Sequence, residues 1–145
     1  MSPFLAALAL LVADPPAPQI TLSVAAAAPA GEDSAAYALI FAAPWDRLLA
    51  VECACSSRIE LHRIVRGPSG NGMSRDPAWV VPADGKLEVR PGSDLHVMMM
   101  ALSGPLVAGQ EVVLTFRFER GGAIVVRAPI VEDTRGYWQT RTQAR

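Results

Sequence analysis

A chain of 145 residues has room for one domain, with a core large enough to fold without disulfide staples. Hydrophobic residues make up 51% and charged residues 19%, which excludes disordered and fibrous classes. The formal charge is −1 and the charged residues are scattered, so there is no basic stripe for nucleic acid and no acidic tail.

Residues 1–18 read as a leader. Phe4 to Ala13 is a run of ten apolar residues followed by Asp14-Pro-Pro-Ala-Pro18. That is shorter than the roughly 20 residues a bilayer span needs, and it fits the apolar region of a secretory signal. No Lys or Arg precedes Phe4, and a first β-strand or a truncated start is the alternative. No other stretch is long enough to span a membrane, so an extracytoplasmic, periplasmic or secreted, protein is expected.

The rest of the chain alternates short β-type runs with Gly, Pro and Asp, the pattern of a sandwich or barrel. The predicted strands are Ile20 to Ala26, Ala36 to Ala42, Arg47 to Cys55, Arg58 to Val65, Trp79 to Val81, Lys86 to Arg90, Leu95 to Ala101, Glu111 to Glu119 and Ala123 to Val131. Arg66 to Pro77 reads as a loop rich in Gly, Pro, Ser and Asn, and Gly121-Gly122 as a hairpin turn. Residues 19–131 thus form one all-β domain. Residues 132–145 are polar and read as a loosely held tail, with no amphipathic helix beyond the leader.

Strand alternation assigns faces. Val112, Leu114, Phe116 and Phe118 share one face of their run. Ile59, Leu61 and Val65 face the core, which turns Glu60 and His62 outward. Leu95, Val97 and Met99 likewise face the core, leaving His96, Met98 and Met100 on the opposite side. Cys53 and Cys55 fall in phase with Leu49 and Val51 and read as small buried hydrophobes. A bridge between them is not expected, because residues two apart on a strand lie roughly 6.5 to 7 Å apart, at the limit for a disulfide. Their alternative is a pair of thiolates for copper or for redox exchange. Trp45, Trp79 and Trp138 are assigned to packing or to the rim.

The outward group is chemically distinctive. The chain has two histidines, His62 and His96, and beyond the initiator its methionines are Met73, Met98, Met99 and Met100. Imidazoles and thioethers without thiolate or carboxylate are a soft donor set that suits Cu(I) rather than zinc, magnesium or calcium. Thioethers are neutral, so the ion keeps its charge and binds moderately, as a carrier requires. A thioether in a Gly-rich loop has little packing reason to be there, whereas Met98 could serve as core filler.

His62, ten residues, Met73 and then His96-Val-Met98 resembles the motif H-(M)-x10-M-x21-H-x-M of the periplasmic copper chaperones of the PCuAC type. The resemblance runs from Ala36 to Ile130. Arg58-Ile-Glu-Leu-His62 is similar to the first ligand strand, and Arg90-Pro-Gly-Ser-Asp-Leu-His-Val-Met98 to the turn into the second. It implies a cupredoxin-like Greek-key β-sandwich holding one Cu(I) through His62, Met73, His96 and Met98. It further implies a monomeric metallochaperone, not an enzyme, that gives copper to the copper centre of a respiratory oxidase. Two departures stand out. The optional Met after the first His is Arg63, and the second spacer has twenty-two residues, with the extra one assigned to Pro91-Gly-Ser-Asp-Leu95.

Two other functions compete. A blue-copper electron carrier needs a Cys thiolate with its two histidines, and no Cys lies near His96 in the sequence. A non-metal interaction sandwich would share only the fold. No hard-donor set with a bound water assembles for hydrolysis.

Overall fold

The computed structural model describes residues 15–143; the leader expected over residues 1–18 therefore lies almost wholly outside the described residues. Ten strands and one helix follow: β1 (Gln19–Ala26), β2 (Ser34–Phe41), β3 (Arg47–Glu52), β4 (Arg58–Gly67), β5 (Gly70–Asp76), β6 (Trp79–Val80), β7 (Lys86–Val89), β8 (Leu95–Met100), β9 (Glu111–Phe118), β10 (Gly122–Val131) and α1 (Thr134–Gln143). The hydrogen-bonded order is β5-β4-β8-β2-β1-β10-β9-β3-β6. This path folds over where β1 meets β10 in parallel at Ala25–Ile130 and Ala26–Val131, giving the two layers of a cupredoxin-like Greek-key β-sandwich. Among the described residues no helix is long and apolar enough to cross a membrane.

The period-two pattern sets the inner faces. Val112, Leu114, Phe116 and Phe118 of β9 are buried against Ala36, Ala38 and Ile40 of β2 and Val97 and Met99 of β8, in one continuous core. Full burial of a side chain such as Leu114 or Phe116 contributes about 1.5–3 kcal/mol. Asp46, also buried, accepts backbone N–H bonds from Arg47, Arg120 and Gly121 at 2.8–2.9 Å. One carboxylate thereby ties the β2–β3 connection to the β9–β10 hairpin.

β2 is lined end to end by two strands. Its last residues pair with β7 (Ala38–Val89 to Phe41–Lys86) and its first with β8 (Ser34–Met99 to Ala36–Val97). The chain turns between those partners at Pro91-Gly92, where Gly92 has φ +86°, a conformation that favours glycine. This turn delivers His96 to the start of β8.

Three expectations are corrected. The Gly-rich stretch after Arg66 is not all loop: β5 pairs with β4 from Leu61–Asp76 to Gly67–Gly70. β5 is an edge strand exposed along nearly all its length, so it carries no apolar alternation to read. Second, Cys53 and Cys55 are bridged, with Cα atoms 5.1 Å apart. The chain leaves β3 at Glu52 and turns, Ser56 N–H bonding to the Cys53 carbonyl at 3.3 Å, so extended-strand spacing does not apply. A bulge between Leu48 and Ala50 also breaks the assumed phase, leaving Leu49 exposed and Val51 buried. The bridge closes only three residues, for which loop entropy gives about 1.6 kcal/mol against about 3 for a fifteen-residue loop.

Third, the C-terminal stretch is folded as a helix. Asp133 caps it, accepting the Gly136 N–H at 2.9 Å, and Trp138 is buried. Its only strongly apolar members are Tyr137 and Trp138, too few to make a visible stripe.

Candidate metal centre

Register places the four expected ligands on one face. His62 and His96 are direct partners across β4 and β8, and Met98 is opposite Glu60. Met73 is opposite Ile64, with Arg75 opposite His62. Side chains at even steps along β4 share a side, so His62, His96, Met98 and Met73 all project from the outer face of the β5-β4-β8 sheet. The Cβ atoms of directly opposed residues lie roughly 4.5–5.5 Å apart, and diagonal neighbours roughly 7–8 Å apart, still within reach of long side chains. Each methionine is a diagonal neighbour of His62, one on either flank. The structure therefore brings the histidines together as a centre, with Met73 and Met98 approaching from opposite sides rather than touching each other. Met100 lies further along the same face, opposite Arg58.

The polar surroundings leave ring nitrogens available to a metal. His96 Nε2 is 3.0 Å from the Ser93 carbonyl, which can only accept. Nε2 therefore carries the proton and Nδ1 keeps its lone pair. His62 Nε2 is 3.7 Å from Glu60 Oε2, while its Nδ1 is buried without a hydrogen-bond partner. An unpaired buried nitrogen costs about 1–3 kcal/mol, a cost that a bound ion would remove. His96 thus has an oxygen partner on one nitrogen and a lone pair on the other, the arrangement that fixes tautomer and ring orientation in metal-ligating histidines, while Glu60 stands beside His62 at ion-pair distance only. The supporting roles of Glu60 and Ser93 escaped the sequence reading; Glu60's signal was its two-residue spacing from His62. Among the described residues no three of His, Cys, Asp and Glu cluster, so any soft site here needs the thioethers.

The remaining walls are a ring and an exposed strand. The Tyr37 ring meets His96 edge-on, centroids 5.7 Å apart at 62°. Burial pushes the Tyr37 phenol above its ordinary pKa, with the Arg135 charge of α1 acting the other way. Met73 is 52% exposed, so the site opens on the β5 side. Arg63 does not place its charge over the site. It alternates to the opposite face and pairs with Asp76 at 2.9 Å.

Comparison with known proteins follows the same lines. The family model described as "Putative lipoprotein LpqE-like" matches residues 18–130. The chain belongs to the LpqE-like family. A curated relative, "Putative lipoprotein Lxx21020" of Leifsonia xyli subsp. xyli, is 33% identical over 76 residues. The match spans 52% of this chain and 45% of that relative, so less than half of the relative's length is covered. Among solved structures, the copper-bound PCuAC domain from PmoF2 superposes with TM-score 0.67 at 21% identity, covering 83% of this chain and 97% of that one. The solution structure of CuI-DR1885 from Deinococcus radiodurans matches with TM-score 0.59 at 25% identity over 81% of each chain. The fold of this LpqE-like chain is that of the PCuAC domains.

Proposed function

We propose that this chain is an extracytoplasmic copper carrier, not an enzyme, binding one Cu(I) as a monomer through His62, Met73, His96 and Met98. The observation that carries the reading is the register that sets His62 against His96 with a thioether on each diagonal. The unpaired His62 Nδ1 supports it as a waiting donor. The likeness to CuI-DR1885 supports Cu(I) as the cargo, and the shared fold with the copper-bound PmoF2 domain is consistent with copper. The lipoprotein description of the family and the Cys53–Cys55 disulfide both favour an oxidising compartment outside the cytoplasm.

The residues divide the work simply. The imidazoles hold the ion by their free nitrogens, and the thioethers complete a soft shell without neutralising it. An ion that keeps its positive charge on an open face can pass to a site with anionic sulfur donors. The copper centre of a respiratory oxidase is the acceptor we infer. A blue-copper role is disfavoured, because the cysteines are paired with each other and leave no thiolate for the histidines. The non-metal interaction sandwich remains the reading to beat. Anaerobic Cu(I) titration against a chromophoric chelator decides. One equivalent should be retained by the wild type and lost with Met73→Ala plus His96→Ala; unchanged binding in the double variant overturns the assignment.

A further inference from the structure

The Cys53-Ala54-Cys55 turn lies on the other side of β8 from the histidines. Cys55 Sγ is 3.7 Å from the Sδ of Met99, the fully buried methionine between Met98 and Met100. Two metal–sulfur bonds of about 2.3 Å at a tetrahedral to trigonal angle set their sulfurs about 3.8 to 4.0 Å apart. The Cys55–Met99 pair already stands near that spacing. Cys53 supplies a third sulfur from two residues away. The bridge closes a three-residue loop, so its entropic contribution is about half that of a fifteen-residue one. Both cysteines are only half-buried, and they line an open depression of about 560 Å³, so a thiol reagent can reach them.

From this geometry we propose that Cys53, Cys55 and Met99 form a second Cu(I) site, open only when the disulfide is reduced. A dithiol reductant transfers two electrons and two protons to the bridge, giving two thiols and its own disulfide. Cu(I) then displaces both thiol protons and forms two copper–thiolate bonds, with the Met99 thioether as a third donor. Oxidation by a disulfide withdraws two electrons from the sulfurs, re-forms the bridge, and leaves the ion on one thioether, from which it departs. Copper stays Cu(I) throughout. Two thiolates and a thioether are the soft donors that select Cu(I).

Thiol exchange with a partner is the competing use, and the surroundings favour metal capture over it. An attacking thiol needs a nearby cation or helix N-terminus to lower its pKa. The charged side chains lining this depression are Glu52 and Glu111, and the Arg117 guanidinium is committed to Glu52 at 2.6 Å. Metal capture tolerates them, because the ion itself displaces the protons.

The site is independent of the histidine site and the test separates the two. Cu(I) uptake by the full chain is measured by chelator competition in the oxidised form and after anaerobic reduction and removal of the reductant. Reduction should add one equivalent, whatever the oxidised form binds. The added equivalent should persist in Met73→Ala with His96→Ala, vanish in Cys53→Ser with Cys55→Ser, and weaken at least tenfold in Met99→Leu. It should also bring ultraviolet thiolate-to-copper absorption. Circular dichroism of the reduced apoprotein checks that the fold persists. Equal uptake in both redox states, or a gain that survives the double serine variant, overturns the proposal, and disulfide exchange without extra copper does the same.

Discussion

Met73 and Met99 are both methionines of this small domain, yet their replacement by alanine should fail in opposite ways. Met73 sits on the edge strand β5 and is 52% exposed. Full burial of a methionine contributes about 1.5–3 kcal/mol, so this half-buried one can lose no more than about 1.5 kcal/mol of apoprotein stability. Removing a thioether should weaken Cu(I) binding at least as much as removing an outer partner of a ligand does, about 10–100-fold. That is about 1.4–2.7 kcal/mol. Met99 is fully buried in the core, and its truncation leaves a cavity costing about 2–5 kcal/mol. In the oxidised protein, Met99→Ala should therefore lower the melting temperature by roughly 10 °C while Cu(I) affinity changes little. Met73→Ala should melt within about 5 °C of wild type yet lose the copper-dependent rise in melting temperature at low excess of metal. Thermal denaturation with and without Cu(I), alongside chelator competition, gives both numbers. Wild-type affinity in Met73→Ala, or a collapse of its apoprotein stability, would refute the assignment of that side chain.

Three further outcomes follow from geometry. Arg63→Met, which installs the optional methionine of the motif, should change Cu(I) affinity less than about threefold, because position 63 faces away from His62; a tenfold gain by competition titration would show that the strand can roll. Asp46→Ala orphans three backbone N–H groups and should lower stability by about 3 kcal/mol or more, read as a fall in the urea midpoint without a change in slope. Trp138→Ala should cost about 3 kcal/mol by thermal melting, whereas a tail with no packing role would give no shift.

Sequence alternation carried much of the fold. The buried faces of β8 and β9 were legible because their residues alternate between core and outer face, whereas β2 is apolar almost throughout, with Ala36, Tyr37 and Ala38 buried in succession, and offers no such pattern. The outward turn of His62, His96 and Met98 was legible for the same reason, since a period of two fixes a side chain's face once its neighbours are known. β5 was invisible: a strand exposed on both sides has no alternation, and Gly67-Pro-Ser-Gly70 looked like loop composition rather than a two-residue turn. The disulfide was misjudged because extended geometry was assumed through Glu52, where the chain in fact turns. The helix was missed because its sequence signal is a cap, Asp133, and two aromatic residues, not a stripe. Which ring nitrogen of His96 stays free depends on the Ser93 carbonyl, a contact that spacing alone does not encode.

The position of β5 at the sheet margin sets an order of events. Among the described strands β4 is its sole neighbour, so opening it breaks one ladder and exposes little apolar surface. Such margins exchange their amide hydrogens at a small fraction of the global unfolding free energy, whereas β4 and β8 are paired on both sides and open later. The two imidazoles thus ride on strands held from both sides and Met73 on one held from a single side. A metal held as proposed across that boundary would loosen stepwise: the marginal thioether would swing away first, and an incoming donor would meet an ion still seated on the histidines.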